Sequence, residues 1–149
     1  MADVTAPHAE AAAAICGRHG NDPAALVEIL HDLQDAVGFV PDDAVPAIAR
    51  ALNLGKAEVH GVASFYHDFR SAPAGRTVVR VCQAEACRSM GAADLMARLC
   101  ARHGVAPGGT TDDGAVTVEA VYCLGNCALA PAAAVGGRLI GRATAERLP

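Results

Sequence analysis

The sequence predicts an α+β chain in two parts: an N-terminal helical bundle over residues 1–75, then a domain of strands and helix over residues 76–149. Three observations carry that reading. Up to Phe65, apolar residues recur at helical spacing, whereas Thr77–Val81 and Val116–Val121 are rich in β-branched residues. Pro73 and Gly75 punctuate the SAPAGR segment, Ser71–Arg76, where the two patterns meet. Four of the six cysteines fall in two short pairs in the second part, each pair following a strand.

In the first part, Ala9–His19 reads as a short helix closed by Gly20. Asp22 can cap free N–H groups, and Pro23 suits a first helical position. Leu26, Ile29, Leu30, Leu33 and Val37 then trace one face of a second helix, with Gly38 at its left-handed end and Pro41 beyond it. Asp42 or Asp43 opens a third helix with Val45, Ile48 and Leu52 inward, Pro46 in its first turn and Gly55 closing it. Lys56–Phe65 reads as a fourth, with Val59, Val62 and Tyr66 facing the core.

In the second part, Thr77–Val81 reads as a buried strand ending at Cys82, and a loop carries Cys87. Ser89 or Gly91 opens a helix whose Leu95, Met96 and Leu99 face inward, and Gly104 closes it. Ala106–Gly114 reads as a polar loop. Val116–Val121 is a second strand, which delivers the chain to Cys123, and the loop Leu124–Pro131 carries Cys127. Ala132–Val135 and Arg138–Ile140 form a hairpin around Gly136-Gly137. Ala143–Leu148 leaves room for only a short helix.

Composition excludes several classes. A formal charge of −4 argues against a phosphate-binding surface, and two Tyr, three Phe and no Trp argue against base-stacking platforms. The helix-turn-helix pattern over Asp42–Phe65 ends in KAEVHGVASFY, which has one lysine and no arginine, so no nucleic-acid partner is expected. No run of about 20 apolar residues suggests membrane insertion. The segment MADVTAPHAEAAAAICGRHG lacks the basic start of a signal peptide, which points to the cytoplasm, where lasting disulfides are rare.

The cysteines carry the chemistry. Cys82 and Cys87 form a C-x4-C pair in CQAEAC; Cys123 and Cys127 form a C-x3-C pair in CLGNC. Neighbouring strands would bring both pairs to one sheet edge. Four thiolates suit tetrahedral zinc or an iron–sulfur cluster, and spacing leaves both open. A [2Fe–2S] cluster needs two cysteines per iron, a count that two pairs satisfy. The C-x-x-C of a dithiol oxidoreductase is absent. Cys16 and Cys100 lie in helical patterns and read as small core residues; His60 and His67 read as packing or contact residues. Arg88 can offset negative charge beside Cys87 or lie in solvent.

The runs VVRVCQAEACRSMG and VEAVYCLGNCALAPAAAV resemble the thioredoxin-like [2Fe–2S] family. That family includes the small iron–sulfur subunit of respiratory complex I and subunits of NAD-reducing hydrogenases and formate dehydrogenases. The helical run LVEILHDLQDAVGFVPDDAVPAIARALNLGKAEVHGVASFYHDF is similar to the family's leader, so the likeness spans roughly residues 20 to 140. The resemblance implies that Cys82, Cys87, Cys123 and Cys127 ligate a [2Fe–2S] cluster on a thioredoxin-like second domain. It further implies a non-catalytic electron-transfer subunit beside a flavin/NAD-binding subunit, with FMN and NAD held by that partner. Within the family, CQAEACRSMG and FVPDDAVPAIARALNL look most like the gamma subunit of NAD-dependent formate dehydrogenase. The equivalent subunit of complex I or of an NAD-reducing hydrogenase is the alternative, and a zinc-stabilised binding module is the reading from a different class. One departure is the short GRATAERLP segment, where the family carries a longer helix.

Overall fold

The computed structural model describes residues 7–149; the first six residues of the segment that lacks a signal-peptide start lie outside the described residues. The chain divides into two compact units, Met1–Pro73 and Ala74–Pro149.

Among the described residues the first unit holds four α-helices: α1 (Ala9–Arg18), α2 (Leu26–Val37), α3 (Val45–Leu52) and α4 (Lys56–Phe65). Their apolar stripes meet in one core in which Ile29, Leu30, Leu33, Ile48 and Val59 have no exposed surface. Each such side chain contributes roughly 1.5–3 kcal/mol by leaving water. Asp22 accepts a 2.9 Å hydrogen bond from the Ala24 N–H, fixing the turn that enters α2. Gly38 ends α2 at φ +94°.

Two expectations change here. Gly55 does not close α3. Asn53 takes the left-handed position at φ +54°, which asparagine tolerates, and the Leu54 N–H returns to the Ala49 carbonyl at 2.9 Å. Gly55 instead opens α4, its N–H donating to the Glu58 carboxylate at 2.6 Å. Tyr66 does not face the core. Beyond Phe65 the backbone leaves the helix because other partners take its polar groups. The buried Gln34 amide donates to the Asp68 carbonyl at 2.8 Å and accepts the Arg70 N–H at 2.7 Å; the Val40 N–H binds the Arg70 carbonyl at 2.8 Å. Phe65 and Tyr66 are left exposed, their rings edge to face at 5.1 Å.

The second unit is a four-stranded sheet with helices over it. Its strands are β1 (Thr77–Cys82), β2 (Val116–Val121), β3 (Ala133–Val135) and β4 (Arg138–Ile140), in the order β2-β1-β3-β4. β1 and β2 run parallel from Thr77↔Val116 to Cys82↔Val121. A parallel pair needs a crossover, supplied by α5 (Glu85–Ser89) and α6 (Ala92–His103). Val79, Val81 and Val118 are fully buried in one core with Leu95, Met96 and Leu99 of α6. Arg80 and Glu119, paired across β1 and β2, form an ion pair at 3.1 Å. β3 and β4 join through Gly136 and Gly137, both at positive φ, as a tight hairpin requires.

The stretch read as a polar loop is partly a ladder. The Gly108 N–H binds the Val118 carbonyl, the Val118 N–H binds the Gly109 carbonyl, and the Thr111 N–H binds the Val116 carbonyl, so the chain covers the outer edge of β2. The terminal helix is a single 3-10 turn, Ala145–Arg147, yet Ala143, Ala145 and Leu148 still fill the core. Among the described residues no helix is long and apolar enough to cross a membrane.

Candidate metal centre

Parallel pairing of β1 and β2 brings both cysteine segments to the carboxyl ends of neighbouring strands, the edge at which α/β sheets commonly bind ligands. Cys82 is the last residue of β1, and Cys123 lies two residues beyond β2. The ladder continues past the strands: the Gln83 N–H binds the Val121 carbonyl at 2.7 Å and the Cys82 N–H binds the Ala132 carbonyl at 3.0 Å. Cys87 is on the short helix α5 rather than in a loop, and Cys127 opens the 3-10 turn Cys127–Leu129. Both placements follow from local turns that leave no apolar period to read.

All four thiols are free, and they stand as two pairs. The Cys123 and Cys127 sulfurs are 3.9 Å apart. Two thiolates on one tetrahedral metal at ~2.3 Å would be ~3.8 Å apart. The Cys87 thiol hydrogen-bonds to Cys82, and the charge of Cys82 helps to raise the Cys127 thiol. Among the described residues no three His, Cys, Asp or Glu side chains gather closely enough to hold one metal ion.

Burial splits the pairs. Cys82 and Cys87 sit in a small cluster with Ala92 and Ala132, whereas Cys123 and Cys127 are exposed. The alanines let backbone approach sulfur closely. At Cys82, burial opposes the thiolate, but the N–H groups of Ala84, Cys123 and Leu124 and the Cys87 thiol outweigh it and lower the pKa. Burial raises the Cys87 pKa, opposed by the Ala132 N–H, which points at its sulfur from 3.4 Å. Cys127 is raised by the neighbouring Cys123 sulfur. The Gly125 N–H, 3.4 Å away, points at the Cys123 sulfur. Charge-stabilising N–H groups aimed at sulfur suit thiolates held on a metal.

Cys16 and Cys100 are buried in separate cores, and burial raises both thiols. Cys100 lies 3.8 Å from the Met96 sulfur. His60, His67 and Arg88 are exposed.

The sequence profile of the thioredoxin-like [2Fe–2S] ferredoxins matches residues 12–149. A subunit of the NADH-quinone oxidoreductase of Pseudomonas aeruginosa is 41% identical over 115 residues, 76% of this chain and 69% of that one. The protein of the same name from Escherichia coli K12 is 37% identical over 132 residues, 88% of this chain and 80% of that one. The HndA subunit of the NADP-reducing hydrogenase of Solidesulfovibrio fructosivorans is 33% identical, covering 80% and 70% of the two chains. Among solved structures, an H2-reduced NAD+-reducing [NiFe]-hydrogenase aligns with a TM-score of 0.68 and 31% identity, over 83% of this chain and 20% of that one. The chain thus spans about a fifth of that hydrogenase polypeptide.

Proposed function

The chain belongs to the thioredoxin-like [2Fe–2S] ferredoxin family, and from that membership we propose that Cys82, Cys87, Cys123 and Cys127 hold its cluster. The observation that carries this reading is the pair of thiol pairs at one sheet edge, with backbone N–H groups turned toward the sulfurs. Two pairs fit two metal centres with two thiolates each.

When bound, the cluster supplies a one-electron carrier. The residues around it do the rest. The alanine-lined pocket keeps water from Cys82 and Cys87. Ala84, Gly125 and Ala132 offset negative charge on the sulfurs. The exposed Cys123 and Cys127, flanked by an exposed Tyr122, leave that side open to a redox partner.

The electron-transfer role is one within a multi-subunit NADH-type oxidoreductase, with a flavoprotein subunit as partner. A flavin takes two electrons from NADH as hydride, and a one-electron carrier beside it can hold one of them. The relatives favour a NADH-quinone oxidoreductase or an NAD(P)-reducing hydrogenase over formate dehydrogenase, which rests on short motifs alone. This chain itself would oxidise neither NADH nor formate.

The test is iron and acid-labile sulfide in protein made under iron-replete, anaerobic conditions. Two of each per chain, visible absorbance and an S = 1/2 resonance on reduction are expected. Stoichiometric zinc would overturn the assignment in favour of the zinc-stabilised module.

A further inference from the structure

We propose that Gly141 is a positioning residue for Cys127, an inference that rests on the ligand reading above. The segment after β4 lies backbone to backbone on the turn that carries this thiol. A methyl group on Gly141 would stand 2.6 Å from Leu129 Cβ and 3.0 Å from Asn126 Nδ2. Asn126 and Leu129 bracket Cys127 and close its turn, the Leu129 N–H binding the Asn126 carbonyl at 3.0 Å. Glycine is therefore required here for space, unlike Gly125, which stands at φ +72° with nothing within 4 Å of its missing side chain.

The contact is tied on both sides. The Arg142 N–H donates to the Leu129 carbonyl at 2.6 Å, and the Ala143 N–H to the Pro131 carbonyl at 2.8 Å. The Arg147 guanidinium donates back to the carbonyls of Gly141 and Arg142 at 3.1 and 2.9 Å. The segment is anchored in turn. Ala143, Ala145 and Leu148 are buried in the sheet's core, Glu146 pairs with Arg98, and Arg102 of α6 holds the Leu148 carbonyl at 3.0 Å. Cys127 is exposed, so packing around its own side chain does not fix it. Its distance from Cys123 is set by where the turn lies, and the turn lies where Gly141 and Arg142 hold it. Residues that orient a ligand from behind typically change metal retention about 10- to 100-fold when altered.

The experiment uses the full-length, cluster-loaded chain and three variants: Gly141→Ala, Leu129→Gly/Gly141→Ala, and Gly61→Ala as control. Gly61 lies on α4 with nothing within 4 Å of its missing side chain. Each is read by far-UV circular dichroism, resonance g values, midpoint potential and the rate of iron loss to a chelator. Gly141→Ala should fold, lose iron about tenfold faster and show shifted g values and potential. The double variant, which removes the closest opposing atom, should return these toward wild type. Wild-type g values, potential and release rate in a folded Gly141→Ala would overturn the proposal. Should Gly141→Ala fail to fold, Arg147→Met decides: faster release with shifted g values supports positioning of Cys127 by the Gly141–Arg142 segment, the strap, and unchanged values overturn it. A wild-type chain loaded with zinc would instead refute the cluster reading. Zinc release then tests the strap separately, equal rates in wild type and Gly141→Ala overturning it.

Discussion

Cys123 is held at φ +86°, where a residue with a side chain is strained by about 1–3 kcal/mol. Such strain persists where surroundings enforce it, and here the bend turns the chain from β2 toward Cys127. Replacing Cys82, Cys87, Cys123 or Cys127 with alanine should abolish or cripple the visible spectrum, read on protein made with excess iron. Cys16→Ser and Cys100→Ser should leave the spectrum intact, because each thiol is buried on a helix within an apolar core. A second residue-scale expectation concerns acid. The hydrogen bond from the His8 ring, 2.9 Å away, holds the Asp43 carboxyl below its usual pKa against opposing burial. A lowered folded-state pKa contributes stability that is present above the unfolded value, near pH 4, and is lost as pH falls through the folded one. Urea midpoints of wild type and Asp43→Asn should therefore differ near neutral pH and converge in acid.

At the scale of elements, periodicity carried most of the fold. Leu26, Ile29, Leu30 and Leu33 recur at helical spacing, and all four are buried on α2. The strands were legible because β-branched runs ended at turn residues. What stayed hidden depends on contacts distant in sequence. Gln34 is buried and serves as a bridge to Asp68 and Arg70, a role that no periodicity marks. The spacing of the four cysteines suggested one centre but held no sign that one pair is buried and the other exposed. That difference comes from Ala92 and Ala132, which pack on Cys82 and Cys87 only after the sheet forms. Gly141 was equally silent, since its constraint is a neighbour twelve positions away. Gln34→Ala removes the hydrogen bonds to the Asp68 carbonyl and from the Arg70 N–H, at about 1–3 kcal/mol for each group that stays dry. Urea unfolding should show the loss in the helical unit, with the cluster spectrum unchanged.

At the scale of the molecule, each unit has its own apolar core, and all four paired cysteines belong to the second. We therefore expect residues 74–149 to fold and load a cluster alone, read by iron content and absorbance. Deleting residues 1–70 should weaken association with a flavoprotein partner more than it weakens cluster retention, measured by co-purification against iron content. A truncated chain that loses its cluster but still binds the flavoprotein would reverse this division of labour. Phe65 and Tyr66, exposed on the helical unit, are the side chains to substitute first in that measurement.

The central position of β1 also imposes an order in time. Cys82 and Cys87 leave the ribosome well before the strands that flank β1 on either side. Residue 116 must be made before the parallel partner exists, and residue 135 before the antiparallel one. Parallel pairing across a long crossover is slow to form. Until it does, a half-made chain offers two thiols with no opposite pair. Iron delivered early would meet an incomplete set of ligands, so loading belongs after chain synthesis. Iron withheld during translation and supplied afterwards should fill the protein as fully as iron present throughout.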